Sequence, residues 1–181
     1  MTLDKLRYLL YEVGRRLKLK EVHVIGSAAI AATLPAPPEG ELTATRDVDI
    51  IPPNDDQRLM DSIDLLMGEG SLLDEKTGYY AHGVSSETPT YAPRDWKSRT
   101  VDVSTSTTVG HCMDLHDLVV SKLGAGRDKD LALARELAKL GHLKRETLVE
   151  RLALVDCPDA VRELMAARIA ALPYTEAKRA Q

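Results

Sequence analysis

Two short segments rich in β-branched residues, EVHVI at 21–25 and TRDVDII at 45–51, constrain the fold of this chain most strongly. Each predicts a strand, because the first is followed by a glycine and the second by two prolines. Stretches in which apolar residues recur at helical spacing surround both segments, at 2–19, 27–34 and 55–67. Helices that alternate with strands predict an α/β fold built on a mixed sheet.

The rest of the chain adds two strands and then only helices. Residues 78–84 and 99–105 have the pattern typical of strands. Helical spacing and helix-boundary residues then predict helices at 114–123, 128–141, 145–155 and 158–172. We therefore expect an α/β core at residues 1–112, with helices flanking the sheet, and a helical C-terminal part at residues 113–181.

Composition and charge limit the classes of protein that fit. The chain has 181 residues, enough for one domain with a small appendage, and its net charge is −4. A dedicated nucleic-acid-binding protein usually has a net basic surface, so this class is disfavoured. The first helix is nonetheless rich in lysine and arginine, which leaves two alternatives: a solvated helix face, or a contact surface for a phosphate-rich partner.

The cysteines and the apolar runs predict where the protein resides. Two isolated cysteines, Cys112 and Cys157, suggest reduced thiols, and the start MTLDKLRYLL is an amphipathic helix rather than a signal sequence. No apolar run approaches the ~18 residues that a membrane span needs. We expect a cytoplasmic protein without a membrane partner.

Asp47 and Asp49 are the first candidates for chemistry. Residues at i and i+2 of a strand point to the same face of a sheet, so the two carboxylates lie side by side and repel each other. A divalent cation such as Mg²⁺ prefers oxygen ligands and would neutralise them. The ordinary alternative is a pair of exposed acids on an edge strand.

The segment before this pair adds a second element of a site. Gly26 and Ser27 follow a strand and open a helix, where a glycine permits close approach of the backbone and a helix N-terminus offers N–H groups to a phosphate. We expect Ser27 to be the N-cap of that helix. A third acid on a neighbouring strand would complete a metal site, and Asp102 in TVDVS is the best candidate.

The segment VIGSAAIAA followed by TRDVDII resembles the nucleotidyltransferase superfamily related to polymerase β, whose signature is Gly-Ser followed by Asp-x-Asp. The later stretch DLVVSKLGAGRDKDLALARELAKLG is similar to the DUF6036 and AbiEii-type branch of that superfamily, some members of which are toxins of toxin–antitoxin pairs. The resemblance implies a nucleotidyltransferase-like fold and Mg²⁺-dependent transfer of a nucleoside monophosphate from an NTP to an acceptor hydroxyl. The chain departs from the pattern by nineteen residues between Ser27 and Asp47, including PAPPEGE, which could form a loop at the mouth of the site.

The resemblance also implies roles for single residues. Asp47 and Asp49 would ligate Mg²⁺, Ser27 would contact the nucleotide phosphates, and the helical part would complete the active-site cleft. Lys122 would neutralise the triphosphate, and Arg127 and Asp130 would complete the polar site where the helical part meets the sheet. The predicted catalytic residues are Asp47, Asp49, Asp102, Lys122 and Asp130, the predicted metal ligands are Asp47, Asp49 and Asp102, and the predicted substrate-binding residues are Gly26, Ser27, Arg46, Lys122 and Arg127.

Three functions remain open from the sequence. The first is an enzyme whose acceptor could be the 3′ end of a tRNA or another RNA, a protein or a small molecule; as a toxin it would have a cognate antitoxin as partner. The second is a catalytically degenerate module with the same fold that binds a nucleotide or a partner. The third is an interaction protein that assembles through its C-terminal helices.

Three weaker patterns have ordinary alternatives. The run of residues 124–127, GAGR, resembles a phosphate loop but fits a helix break. Tyr91 and Trp96 could stack on a base but also suit packing at a loop edge. A zinc site is suggested by residue type, though not by spacing, at His111, Cys112, His116 and Asp117.

Overall fold

The computed structural model describes residues 1–35, 40 and 42–175. The chain divides into two compact units. The first contains residues 1–89 and 97–114, and the second contains residues 90–96 together with the chain from Leu115 onward. No helix in the described part of the chain has both the length and the apolar character needed to cross a bilayer.

The first unit contains five strands and four helices among its described residues. The strands are β1 (Glu21–Ile25), β2 (Asp47–Ile51), β3 (Tyr80–Gly83), β4 (Val101–Ser104) and β5 (Val109–Cys112). The helices are α1 (Leu3–Leu17), α2 (Ile30–Thr33), α3 (Gln57–Met67) and α4 (Leu72–Thr77). Three 3-10 turns, at Ser27–Ala29, Pro53–Asp55 and Trp96–Arg99, lie between them or at the edge of the unit.

The five strands form one open, mixed sheet in the order β3-β2-β1-β5-β4. The strand β1 is antiparallel to β2 and parallel to β5. The strand β3 is parallel to β2, and β4 is antiparallel to β5. This arrangement, with flanking helices, confirms the predicted α/β class and mixed sheet.

One face of the sheet is apolar and carries helices. Val48, Ile50 and Ala81 on this face are fully buried. The backbone of β3 at Gly83 contacts α3, since a Cβ there would lie 2.4 Å from Met60 Cα. The opposite face carries the polar side chains of the same strands, because successive residues alternate between faces. The fold therefore collects Asp47 and Asp49 on the face opposite this helical layer.

The second unit is helical, as predicted. Its helices are α5 (Leu115–Ala125), α6 (Asp128–Lys139), α7 (Arg145–Leu152) and α8 (Asp159–Ala170). They pack around buried leucines such as Leu123, Leu137 and Leu148. The chain passes from the first unit to the second after Asp114, and the expected domains at 1–112 and 113–181 stay a prediction.

Two elements were not predicted. The short helix α4 and the strand β5 both lie in segments that lack a long apolar pattern. The sequence of β5, VGHC, includes a glycine, which is depleted in strands. Of the proline-rich loop before β2, residues 36–39 and 41 lie outside the described residues, so its predicted position at the mouth of the site stays a prediction.

Candidate active site

Asp47, Asp49 and His82 form a group that could hold a metal ion. The register between the parallel strands β2 and β3 places Asp49 opposite His82 and Asp47 opposite Tyr80. One ligand atom from each of the three side chains lies within 4.8 Å of the other two. All three residues are half-buried. The sequence-based prediction that Asp47 and Asp49 share a face agrees with this register.

Gly26 lets the Asp49 carboxylate lie directly against the backbone. Its φ is +69°, a conformation that L side chains rarely adopt. A Cβ at this position would lie 2.3 Å from Asp49 Oδ2, far inside contact distance. The end of β1 is thereby within reach of the carboxylate pair on β2. This close approach is the physical reason for a glycine in the sequence Gly-Ser.

Ser27 does not take the predicted N-cap position. It is the first residue of the 3-10 turn Ser27–Ala29, and Gly26 precedes that turn without a side-chain cap. The regular helix α2 begins only at Ile30 and has four residues. The expectation of one helix over 27–34 with Ser27 as N-cap is therefore wrong, because the chain tightens into a 3-10 turn after Gly26. Ser27 directly follows Gly26, whose backbone lies against Asp49, and its predicted contact with the phosphates stays a prediction.

Neighbouring side chains orient and surround the pair of carboxylates. The Thr45 hydroxyl donates a hydrogen bond to Asp47 Oδ1. Burial raises the pKa of Tyr80, and the negative charge of Asp47 raises it further, so the phenol stays neutral beside the site. The Tyr80 ring lies 5.1 Å from the His82 ring, centroid to centroid. The aromatic ring thus forms one wall beside the candidate ligands.

The donor set fits a divalent metal ion. Two carboxylates on one strand face repel each other unless a cation lies between them. Carboxylate oxygen and imidazole nitrogen are both common ligands of divalent metals. The Gly26 backbone leaves room for Asp49 where any other residue would displace it. The three residues are therefore suited to hold an ion at the edge of the Gly-Ser turn.

Asp102 is not brought to this group, which corrects the prediction that it is the third metal ligand. It lies on β4, three strands from β2, a separation of about 14 Å at the usual strand spacing. Its carboxylate instead contacts His111 Nδ1 at 2.7 Å. His82, on the strand directly beside β2, takes the third place. Asp102 lies on the same face of the sheet as Asp49. This follows from the strand register, which pairs Asp49 with Ile25, His23 with His111 and His111 with Asp102.

Arg46 is held by neighbouring residues of the first unit. Its guanidinium donates hydrogen bonds to Asp74 Oδ1 at 2.7 Å and to the Gly78 carbonyl at 2.8 Å. It also lies 5.7 Å from the centre of the Tyr80 ring. These contacts link α4 to the start of β2. The predicted role in substrate binding stays a prediction, and the contacts give Arg46 a structural role as well.

Lys122, Arg127 and Asp130 meet in the second unit. Lys122 Nζ donates to Asp130 Oδ1 at 2.8 Å, and Arg127 Nε donates to Asp130 Oδ2 at 2.6 Å. The Asp130 side chain has no exposed surface, whereas that of Arg127 is 61% exposed. Burial raises the pKa of Asp130, but the bonds from Arg127 and Lys122 outweigh it and hold this pKa below its usual range. These three predicted residues form one ion-paired cluster, and its approach to the metal ligands stays a prediction.

The weaker candidates have structural roles. Burial raises the pKa of the Cys112 thiol to about 12, and this thiol donates a hydrogen bond to the Gly110 carbonyl at 3.7 Å. His116 Nε2 accepts a hydrogen bond from the Lys144 backbone, at 3.1 Å. Tyr91 packs on the backbone of α5, where a Cβ at Gly124 would lie 2.4 Å from its side chain. The GAGR run is a helix break, since Gly124 and Ala125 end α5.

His82 is a candidate metal ligand that the sequence analysis missed. The segment containing it was predicted as a strand, and its alternation places Tyr80 and His82 on one face. What the sequence lacked was the strand order, which alone shows that β3 is the neighbour of β2. Only that neighbour relation turns an ordinary strand histidine into a candidate ligand.

Comparisons with known proteins give the family. No curated protein and no solved structure is significantly similar to the chain. The family described as "Nucleotidyltransferase of unknown function (DUF6036)" matches residues 2–168. The match includes the Gly-Ser turn, both strands with metal-ligand candidates and most of the helical unit. The resemblance to nucleotidyltransferases is thereby confirmed, and the chain belongs to the DUF6036 family of nucleotidyltransferases.

Proposed function

We propose that this chain transfers a nucleoside monophosphate from an NTP to an acceptor hydroxyl, with a divalent metal ion held by Asp47 and Asp49. The observation that supports this most directly is the convergence of Asp47, Asp49 and His82 beside Gly26, in a chain of a nucleotidyltransferase family. Mg²⁺ is the ion that the two carboxylates predict. The three ligand candidates come from adjacent strands whose apolar face is buried, which keeps their spacing fixed.

The reaction balances with a nucleotide and a hydroxyl as the only reactants. The acceptor oxygen bonds to the α-phosphorus while the bond to the bridging oxygen of the leaving group breaks. Pyrophosphate departs with the electron pair of the broken bond, and the hydroxyl proton passes to water. A bound divalent ion would supply charge neutralisation and orient the phosphates. Asp47 and Asp49 hold that ion, and Ser27 with the backbone of its turn contacts the phosphates.

The second unit supplies cations for the triphosphate in this proposal. Arg127 is the cation that we propose for this role, since one of its nitrogens bonds Asp130 while most of its side chain is exposed. Lys122 is largely buried against Asp130 and positions that carboxylate. Phosphoryl transfer depends mainly on positioning and charge neutralisation, so an exposed arginine on a fixed anchor suits the task.

The acceptor that we propose is the 3′ end of a tRNA or another RNA, in a cytoplasmic toxin that has a cognate antitoxin. The support is the resemblance of residues 117–141 to toxin-like nucleotidyltransferases. A protein or small-molecule acceptor would give the same chemistry at Asp47 and Asp49. The acceptor is therefore tested together with the reaction.

The test is the transfer of label from each α-labelled NTP, with Mg²⁺ or Mn²⁺, to total RNA, purified tRNA or protein. The wild type should label one acceptor class, and Asp49→Asn should abolish labelling because the ion loses a ligand. Asp102→Asn is the matched control, because this aspartate lies on the same sheet face outside the ligand group; it should keep activity. Loss of activity in both variants, or in neither, would contradict the assignment.

A nucleotide-binding module without turnover is the second candidate, favoured by the absence of Asp102 from the ligand group. It predicts that no NTP labels any acceptor. Metal and NTP together should nonetheless raise the melting temperature of the wild type and not that of Asp49→Asn.

A further inference from the structure

We infer that the Asp47–Asp49–His82 group selects Mn²⁺ and later first-row transition ions over Mg²⁺, through the imidazole nitrogen of His82. The inference rests on the proposed function in one respect: this ion would serve the transfer reaction. The selectivity itself is a property of the free protein and is measured without a nucleotide. It assigns to His82 a role that the two carboxylates alone do not imply.

The backbone fixes the imidazole beside the carboxylates. Asp49 and His82 are register partners on adjacent parallel strands, so their Cα atoms face each other across one strand spacing. Both strands are backed by fully buried residues on the other face, including Val48, Ile50 and Ala81. An ion that bridges Asp47 and Asp49 therefore has a ring nitrogen of His82 within reach, since the three ligand atoms lie within 4.8 Å of one another.

A nitrogen donor changes the balance between metals. Mg²⁺ demands near-ideal octahedral oxygen coordination and loses its water reluctantly. Imidazole binds transition metals well, and affinity for a given site rises from Mn²⁺ towards Cu²⁺. A third carboxylate would give Mg²⁺ both a preferred oxygen and a further negative charge. The imidazole gives Mg²⁺ neither, whereas transition metals accept a nitrogen ligand, least strongly Mn²⁺ and more strongly the later ions of the row.

The surroundings of His82 favour the ligand role over a packing role. Its ring is half-buried rather than enclosed, and Tyr80 packs beside it at 5.1 Å between centroids. Asp49 in turn lies against the Gly26 backbone, where a side chain would displace it. The site is therefore built from three elements, the end of β1, β2 and β3.

The experiment measures Mn²⁺ and Mg²⁺ affinity of the intact, metal-free chain by titration calorimetry, without a nucleotide. The ratio of the two dissociation constants is compared between the wild type, His82→Asp and His82→Gln. We expect His82→Asp to reduce the preference for Mn²⁺ by about tenfold or more, because a third carboxylate strengthens Mg²⁺ binding more than Mn²⁺ binding. His142→Asp, the same change in the second unit, is the matched control and should leave the ratio unchanged.

A spectroscopic readout separates ligation from a structural effect. Pulsed electron paramagnetic resonance of bound Mn²⁺ should show nitrogen coupling in the wild type and lose it in His82→Gln. That variant introduces no third carboxylate, so it keeps the test valid where His82→Asp fails to fold. An unchanged affinity ratio in His82→Asp, or nitrogen coupling that persists in His82→Gln, would overturn the inference.

The outcomes also distinguish this inference from the proposed function. If Mn²⁺ selectivity depends on His82 but no NTP labels any acceptor, only the proposed transfer reaction fails. If label transfer occurs and the affinity ratio is indifferent to His82, only the inference fails.

Discussion

The conformation of one glycine controls how closely β1 approaches the metal-ligand candidates. Gly26 combines a φ of +69° with a space that Asp49 Oδ2 fills. The first property, combined with a ψ of −173°, alone costs a substituted residue about 1–3 kcal/mol of stability. The second forces Asp49 to move. The two effects are separable, because other glycines of the chain have the first property without the second.

We expect Gly26→Ala to lower the stability of the protein and also to weaken metal binding. Gly70→Ala is the matched control, since Gly70 has a φ of +75° and no atom within 4 Å of an added Cβ. Gly70→Ala should lose about 1 kcal/mol from backbone strain, and Gly26→Ala should lose about 1–3 kcal/mol, because its ψ of −173° lies in a region almost restricted to glycine. Only Gly26→Ala should weaken Mn²⁺ binding in calorimetry. Equal metal affinity in the two variants would contradict the proposed role of Asp49.

The sequence predicted the residues of the site unevenly, and the reason is geometric. Asp47 and Asp49 could be paired from alternation along one strand, which needs no tertiary information. Asp102 and His82 both lie on strands and on the same face, so their sequence patterns did not distinguish them. Sheet order decides between them, and it depends on which strands pair over long separations. The sequence could not supply that order.

The buried ion pair of Lys122 makes this residue important for stability. A surface lysine rarely contributes much to the free energy of unfolding, but Lys122 is only 9% exposed and pairs with the fully buried Asp130. We expect Lys122→Met to lower stability by about 3–5 kcal/mol, because a buried charge loses a partner. Adding Asp130→Leu should restore much of that loss. Denaturant unfolding measures both variants.

The neighbouring exposed residue Lys129 provides the control for this prediction, and Lys129→Met should change stability by less than about 0.5 kcal/mol. A Lys122→Met variant as stable as this control would show that the cluster is not a unit of stability.

At the scale of elements, α1 is the helix that covers much of the apolar face of the sheet. It contacts β5 so closely that a Cβ at Gly110 would lie 2.6 Å from Leu10 Cδ1. This contact explains why β5 forms with a glycine in it, although the sequence did not predict this strand. Glycine is unfavourable in a strand by propensity, yet here its small size admits the helix, and packing outweighs the local preference. The amphipathic pattern of α1 was predictable because it is local.

The buried side of α1 also carries a charge. The Glu12 carboxylate is 7% exposed and accepts hydrogen bonds from Arg15 at 2.7 Å and from Arg16 at 2.7 Å. The bond from Arg15 holds the pKa of Glu12 below its usual range, against burial, which would raise it. Part of the basic face predicted for this helix is thereby neutralised within the helix.

The depressed pKa of Glu12 predicts a pH dependence of stability. The unfolded chain binds the proton more tightly, so this contribution is present above the unfolded pKa of about 4.3 and is lost as pH falls through the folded pKa. Glu12→Gln should therefore be less stable than the wild type at pH 7 and lose less stability on acidification. Melting temperatures between pH 7 and pH 3 measure this. The control is Glu75→Gln, at an exposed residue of α4, whose melting temperature should depend on pH as that of the wild type does. If Glu12→Gln also shows the wild-type pH dependence, the ion pairs of Glu12 contribute nothing to stability.

At the scale of the whole molecule, the predicted site residues fall in two units. The metal-ligand candidates lie in the first unit, and Lys122, Arg127 and Asp130 lie in the second. Alternation of helices and strands followed by helices was sufficient to predict the α/β core and the helical part. The way in which residues 90–96 group with the second unit was not predictable, because it depends on contacts between distant segments.

Arg127 tests whether the two units serve one substrate. Its side chain is largely exposed but bonds the buried Asp130, so Arg127→Ala should lower stability by about 1–3 kcal/mol while Lys122 still pairs with that carboxylate. We expect the variant to bind an NTP at least about tenfold more weakly, from the loss of a charge-assisted bond to a phosphate. Its Mn²⁺ affinity should equal that of the wild type. NTP affinity unchanged in calorimetry would separate the helical unit from nucleotide binding.

The interleaved path of the chain has a consequence for modularity. The backbone N–H of Arg94 donates to the Leu154 carbonyl at 2.9 Å, and Tyr91 packs on α5 at Gly124. A short segment encoded between β3 and β4 thus belongs to the helical unit. A recombination event with a single breakpoint after Asp114 would transplant the helices without this segment. Transfer of an intact helical unit to another protein therefore requires transfer of the whole chain, or recombination with at least two further breakpoints, one on each side of residues 90–96.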